Sequence, residues 1–261
     1  MFRLDAMARL RFRRKHCDDL PPILVNSLPK SGTHLLLQLV RAIPGLHYRG
    51  GFFASSPSLT QRLRGPAATT RKLGRILPGE CIGAHLFHSD GAEAVLRDKQ
   101  FLSLFLCRDP RDVLMSELHY LTGMNRWHRM HRHFARLPEF GDRLKLALEG
   151  LDAGFPDCNQ RFLAYGGWMH APRTTVIRFE DLIGPSRGET CQRIIDECRA
   201  WGMDFPDSEE VVQRMIQAAD PQKSHTFRKG LSGGWRKGLT AAQIKTVETW
   251  LEPSIVAFGY D

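Results

Sequence analysis

Two short apolar runs, each stopping where a helical pattern begins, constrain this chain more than any other feature. Residues 23–27 (ILVNS) form a β-branched run of strand length. Residues 32–42 (GTHLLLQLVRA) then carry the apolar spacing and length of a helix, stopped before Pro44. Residues 101–107 (FLSLFLC) are a second buried strand, running straight into Asp109-Pro110, where Asp suits a helix N-cap and Pro its first turn. Between and beyond them the pattern continues. Strands are expected at 80–86 (ECIGAHL) and 174–179 (TTVIRF), and helices at 90–98 and 159–170, with 55–79 a loop holding at most a short helix. Capping boxes at Ser186-x-x-Glu189, Asp207-x-x-Glu210 and Thr240-x-x-Gln243 would open three more helices, the last kinked or ended by Pro253. Strands alternating with helices from end to end predict an α/β fold, a parallel sheet with helices on both faces. In such sheets ligands sit beyond the carboxyl ends of the strands.

A chain of 261 residues suits one domain over 20–261, preceded by a basic N-terminal extension at 1–19. Apolar residues at 42% and charged residues at 25% exclude a disordered chain. No apolar run exceeds four residues, which excludes a transmembrane helix, and Met1–Asp19 is Arg-rich with no apolar stretch of a secretory signal. Six cysteines without a C-x-x-C pair read as scattered thiols of a reducing compartment. The expectation is a cytoplasmic enzyme.

Charge narrows the ligand. The formal net charge is +9, and from Leu20 to Gly79 there are eight basic residues and no acid. Such a field concentrates anions: nucleic acid, a phosphorylated cofactor, an anionic glycan or a membrane surface. Nucleic acid is disfavoured among them, since no nucleic-acid-binding module is recognisable. The Arg-rich residues 1–19 would suit peripheral contact with an anionic membrane, although three acids interrupt them.

Three constellations carry phosphate chemistry. Leu28-Pro29-Lys30-Ser31-Gly32-Thr33-His34 lies between a strand and a helix, where backbone N–H groups form an anion site, Gly32 permits close approach and Lys30 adds a charge. It is P-loop-like without being a nucleotide-triphosphate P-loop, since G-x-x-x-x-G-K-[ST] is absent and no strand end offers an obvious Mg²⁺-holding Asp. Arg108 closes the 101–107 strand and Ser116 follows about two turns into the next helix. They would grip a second phosphate, the alternative being an Arg108 paired with Asp109 or Asp112. Phe227-Arg228-Lys229-Gly230, followed by Leu-Ser-Gly-Gly-Trp235, is an anion-seeking loop or an ordinary surface turn.

In this order, with Arg178-Phe179-Glu180-Asp181-Leu182 between the second and third, these segments resemble the sulfotransferase family that uses 3′-phosphoadenosine 5′-phosphosulfate (PAPS), the cytosolic and bacterial type. The resemblance spans about residues 22–245. It implies a three-layer α/β fold around a parallel sheet. It also implies that Lys30, Ser31, Gly32 and Thr33 cradle the 5′-phosphosulfate, with Lys30 at the bridging oxygen. Arg108 and Ser116 would hold the 3′-phosphate, and Arg228, Lys229 and Gly230 would close on it, with no obligatory metal. His85, in Gly83-Ala84-His85-Leu86, matches the catalytic base. A glutamate that serves related enzymes shortly after the first loop has no counterpart, because no acid follows that loop before Glu80.

Some positions depart from the family pattern. His34 replaces a hydroxyl and would donate its 5′-side hydrogen bond from imidazole. Leu35 replaces an aromatic that stacks on adenine, leaving Phe227 or Trp235 for that task. Phe179 replaces a tyrosine, and Gly234 an acid. Acceptor recognition lies outside these motifs. The segment Arg126–Arg136 (RWHRMHRHFAR) holds four Arg and three His with no acid. It would form a wall of an acceptor site, or else a basic helix packed through Trp127, Met130 and Phe134. A small-molecule or carbohydrate acceptor is expected, leaning to carbohydrate. Oligomeric state is left open by the sequence.

Overall fold

The computed structural model describes residues 20–58, 63–151, 154–219 and 232–261. The basic extension 1–19 and Phe227 to Gly230 lie outside the described residues. In chain order the first half holds β1 (Ile23–Ser27), α1 (Thr33–Arg41), β2 (His47–Ala54), α2 (Pro66–Leu73), β3 (Glu80–His85), α3 (Asp90–Asp98), β4 (Leu102–Cys107) and α4 (Pro110–His119). A π turn at Tyr120–Met124 follows, then α5 (His131–Ala135), α6 (Phe140–Glu149), α7 (Cys158–Leu163) and a 3₁₀ turn at Gly166–Met169. The last part holds β5 (Thr174–Arg178), α8 (Phe179–Ile183), α9 (Arg187–Ala200), α10 (Ser208–Ala218), a 3₁₀ turn at Gly234–Gly238 and α11 (Ala241–Ala257).

The five strands form one sheet in the order β2-β3-β1-β4-β5, every neighbour parallel. β1 and β4 are apolar on both faces because both faces are covered. Ile23, Val25, Leu102, Leu104 and Leu106 pack into a core with Leu36, Leu39 and Val40 of α1, Ile194 and Ile195 of α9 and Met215 of α10. Leu24, Phe105 and Cys107 face the other way, into a core with Leu96 of α3, Leu114 of α4, Leu148 of α6, Phe162 of α7 and Leu251 of α11. This is the three-layer α/β arrangement expected from the sequence. Among the described residues no helix is long and apolar enough to cross a membrane.

The structure refines several elements. β2 was not expected: it is an edge strand whose HYRGGFFA sequence breaks register between Tyr48 and Phe52 and buries only Phe53 fully. The helix expected over 159–170 is α7 followed by a separate 3₁₀ turn. Thr240 and Gln243 form a reciprocal capping box and Asp207 caps α10, whereas Ser186 makes no side-chain cap bond. Pro253 lies inside α11 without ending it. Asn159 of α7 clasps the helix on both sides of that proline: its Nδ2 donates to the Trp250 carbonyl and its Oδ1 accepts from Ser254 Oγ, both at 2.6 Å.

Because all strands are parallel, the exits of β1, β3, β4 and β5 lie along one edge. β1 sits between β3 and β4, and the chain leads away from it to both sides. That is where a ligand crevice opens in this architecture.

Candidate active site

The loop leaving β1 is shaped by its backbone. Leu28 N–H still bonds the Leu106 carbonyl, and the chain then turns through left-handed conformations at Lys30 (φ 68°) and Gly32 (φ 96°). Gly32 is demanded twice. Its φ disfavours a side chain, and a Cβ there would lie 2.6 Å from the Phe179 ring. α1 begins at Thr33 with no side-chain cap, so its first N–H groups remain for an outside acceptor. The hydroxyl of Ser31 is buried and finds no hydrogen-bond partner among the described residues. An orphaned hydroxyl beside uncapped amides is what an anionic group would satisfy. Lys30 places Nζ 4.0 Å from the centroid of the Tyr120 ring. Burial pulls its pKa down to about 8, an effect opposed by the Glu117 carboxylate and reinforced by Arg108.

At the neighbouring strand exit, His85 closes β3, level with the end of β1. Its Nδ1 lies 3.0 Å from the Ser27 carbonyl oxygen and 3.1 Å from Ser27 Oγ. A carbonyl only accepts, so Nδ1 carries the proton and Nε2 keeps its lone pair. Ser27 Oγ in turn shares a 2.6 Å hydrogen bond with Thr33 Oγ1 in the first turn of α1. Base and phosphate loop are therefore joined through one serine. Burial lowers the His85 pKa to about 4; the bond to Ser27 raises it, and His34 and Lys30 lower it further. The ring is neutral at pH 7. Phe52 meets it edge-on at 4.9 Å.

Arg108 leaves β4 on the other side. Its Nη1 donates to the Lys30 carbonyl at 3.3 Å, its Nη2 lies 3.7 Å from Asp112 Oδ2, and the guanidinium stacks 4.3 Å from the Phe179 ring centroid. Of the two partners weighed from the sequence, Asp112 is the one used, while Asp109 pairs with Arg111 at 2.9 Å. Asp112 also accepts from the backbone N–H groups of Gly233 (2.8 Å) and Trp235 (3.0 Å). Ser116 is half-buried one turn beyond Asp112, and Tyr120, under Lys30, is one turn further. Residues four apart share a helix face, so this face of α4 runs from the Arg108 partner to the Lys30 ring.

Lys30, Ser31, Gly32, Thr33, His85, Arg108 and Ser116 thus converge on the carboxyl edge of the sheet. His34 is exposed on the first turn of α1, and Leu35 is buried in the core. Trp235 is only 1% exposed and lies between the guanidiniums of Arg111 (4.9 Å) and Arg236 (4.4 Å), so its ring offers no face for adenine. In the Arg126–Arg136 segment Met130 and Phe134 are core residues, but Trp127 is 84% exposed and the helix is only α5. The single packed helix through all three does not form. Sequence reasoning missed Ser27, which orients His85, and Tyr120, which receives Lys30. Ser27 was legible only as the polar last residue of an apolar strand, and Tyr120 as the next i+4 position after Ser116.

The sulfotransferase domain profile matches residues 20–259. The chain belongs to the sulfotransferase family. Among solved structures, this sulfotransferase is similar to mouse sulfotransferase SULT7A1 complexed with PAP, with a TM-score of 0.60 and 20% identity over 92% of this chain and 87% of that one. It is also similar to retinol dehydratase in complex with androsterone and the inactive cofactor PAP, with a TM-score of 0.58 and 17% identity over 92% and 83% of the two chains. Comparison with curated protein sequences gives no match. At these identities the solved structures establish a shared fold, and the family match establishes sulfuryl transfer as the reaction class.

Proposed function

We propose that this sulfotransferase moves a sulfuryl group from PAPS to a hydroxyl or amine of a small-molecule or carbohydrate acceptor, by in-line transfer with His85 as general base. The observation that carries the reading is the Ser27 bridge: one residue fixes the imidazole tautomer and also bonds the first turn of the phosphate loop.

The residues present fit an anionic donor. The uncapped start of α1, the orphaned Ser31 hydroxyl and the Lys30 ammonium would hold the 5′-phosphosulfate, and Arg108 with Ser116 the 3′-phosphate. When bound, PAPS supplies an activated sulfur on a phosphate leaving group. His85 Nε2 takes the acceptor proton as the acceptor oxygen or nitrogen forms its bond to sulfur. The bond from sulfur to the bridging oxygen breaks, and its electron pair stays on that oxygen. Lys30 Nζ and the backbone amides of 31–33 stabilise the growing charge, as preorganised donors do in a site poor in water. These steps use protein groups alone and need no metal.

Calorimetric titration with 3′-phosphoadenosine 5′-phosphate (PAP) in EDTA, beside 5′-AMP, tests the donor site. Metal-independent binding of PAP, with 5′-AMP at least tenfold weaker, is expected from loss of a charge-assisted arginine contact. Equal affinity for the two would remove Arg108 and Ser116 from the reading.

A further inference from the structure

The turn after α4 carries a dense run of basic side chains beside the site. No Asp or Glu occurs from Leu118 to Pro138, while Arg126, Arg129, Arg132, His133 and Arg136 are all exposed. Beside them Trp127 leaves 84% of its surface in water. A large flat apolar ring standing among arginines invites a ligand with a flat face and a negative charge.

Position ties this surface to the reaction. On the donor side, Asn125 Nδ2 donates to Tyr120 Oη at 2.6 Å, and the Tyr120 ring carries Lys30 Nζ. The amide oxygen of the same side chain, Asn125 Oδ1, accepts from Trp127 N–H at 3.1 Å, which fixes the backbone that presents the indole. On the base side, Arg129 N–H donates to the Ser58 carbonyl at 3.3 Å. Three residues earlier, Ser55 N–H donates to the His85 carbonyl at 2.8 Å. The turn is pinned from below by Met130 and Phe134, which are 2% and 0% exposed. It therefore bridges the residue proposed to meet the leaving group and the residue proposed to take the acceptor proton.

The geometry points to the Asn125–Arg129 turn as the acceptor-recognition wall, selecting a hydroxyl-bearing acceptor that lays a flat face on Trp127 and offers a carboxylate or sulfate to Arg126 and Arg129. This inference rests on the sulfotransferase reading and narrows its acceptor to an anionic one. An aromatic hydroxy acid and an acidic sugar share that chemistry.

Two matched pairs separate these sources: 2-naphthol against 6-hydroxy-2-naphthoate, and phenyl β-glucoside against phenyl β-glucuronide. Each is assayed with labelled PAPS and titrated calorimetrically into PAP-loaded enzyme. At low salt the anionic member of at least one pair is expected to show about tenfold higher kcat/KM, and the pair that does so identifies the source. Arg126→Gln should reduce that advantage about three- to fivefold, and Arg126→Gln with Arg129→Gln should bring it close to one. Trp127→Ala should raise KM for both members of the preferred pair while kcat and PAP affinity hold, which a merely structural tryptophan would not do. Equal use of neutral and anionic members, a preference that survives the double substitution, or failure of both anionic compounds to bind PAP-loaded enzyme overturns the inference. Failure of the wild-type protein to bind PAP overturns the sulfotransferase reading, and the acceptor wall with it.

Discussion

Two side chains with opposite protonation requirements set the working pH of the site. His85 must be neutral to take a proton, and burial holds its pKa at about 4. Lys30 must be charged to meet the leaving oxygen, and burial has brought its pKa down to about 8. As pH rises, His85 loses its proton first, so activity climbs through about pH 4. It then falls as Lys30 discharges above about pH 8. A profile of kcat/KM for PAPS, which reports the free enzyme, should show both limbs. Lys30→Arg should abolish the alkaline limb, whatever it does to the maximum, because a guanidinium stays charged. An alkaline limb unchanged in that variant would assign it elsewhere. His85→Ala should lower kcat by about 10²–10⁴-fold with PAP affinity retained, the usual worth of a general base. Turnover within a few-fold of wild type would remove His85 from the chemistry. Neither environment was legible in the sequence. His85 stood in the right motif, but its tautomer depends on Ser27, fifty-eight residues away and adjacent only through the pairing of β1 with β3.

At the scale of elements, α4 is the organiser, and Asp112 in its first turn is its pivot. One carboxylate accepts two backbone N–H groups from Gly233 and Trp235 and lies 3.7 Å from Arg108. Burial pushes the Asp112 pKa up, against the pull of Arg108 and the Gly233 bond. Asp112→Asn keeps the volume and loses at least one of these interactions, since an amide nitrogen cannot accept. Arg108 would then lose its fixed orientation. PAP affinity should fall about tenfold while 5′-AMP affinity changes little, because only the 3′-phosphate depends on Arg108. An equal loss for both ligands would reduce Asp112 to a general stabiliser. Elements whose signals were local came through in the sequence: the apolar runs of β1 and β4, the Asp109-Pro110 start of α4 and the Thr240 box of α11. β2 did not, because Gly50 and Gly51 interrupt it and an edge strand needs only one buried ring, Phe53. Of the two readings of the 126–136 segment, the helix packed through Trp127 fails for the converse reason. Helical spacing put Trp127 in line with Met130 and Phe134, but the π turn at Tyr120–Met124 and the Asn125 bonds hold the chain out of a helix until His131.

For the whole molecule, the two cores lie on opposite faces of a single sheet, and β1 and β4 contribute side chains to both. Neither face can lose its packing without uncovering the other side of the same strands. Residues 20–261 should accordingly unfold as one unit. Leu104→Ala removes a fully buried side chain from the α1 face and Phe105→Ala one from the α4 face, at a cost of about 2–5 kcal/mol each. Scanning calorimetry should show one transition in each variant, shifted downward as a whole, with no residual native-like peak. Saturation with PAP adds a second handle, because a ligand bound only to the native state at a hundred times its Kd stabilises by about 2.7 kcal/mol. In a domain of this size that raises Tm by roughly 5–10 °C. The rise should appear in the same single transition, since the proposed donor contacts come from α1, which packs in one core, from α4, which packs in the other, and from the exit of β4, which contributes to both. Two transitions, with only one of them moved by PAP, would instead mean that the faces melt separately and that the donor site belongs to one of them.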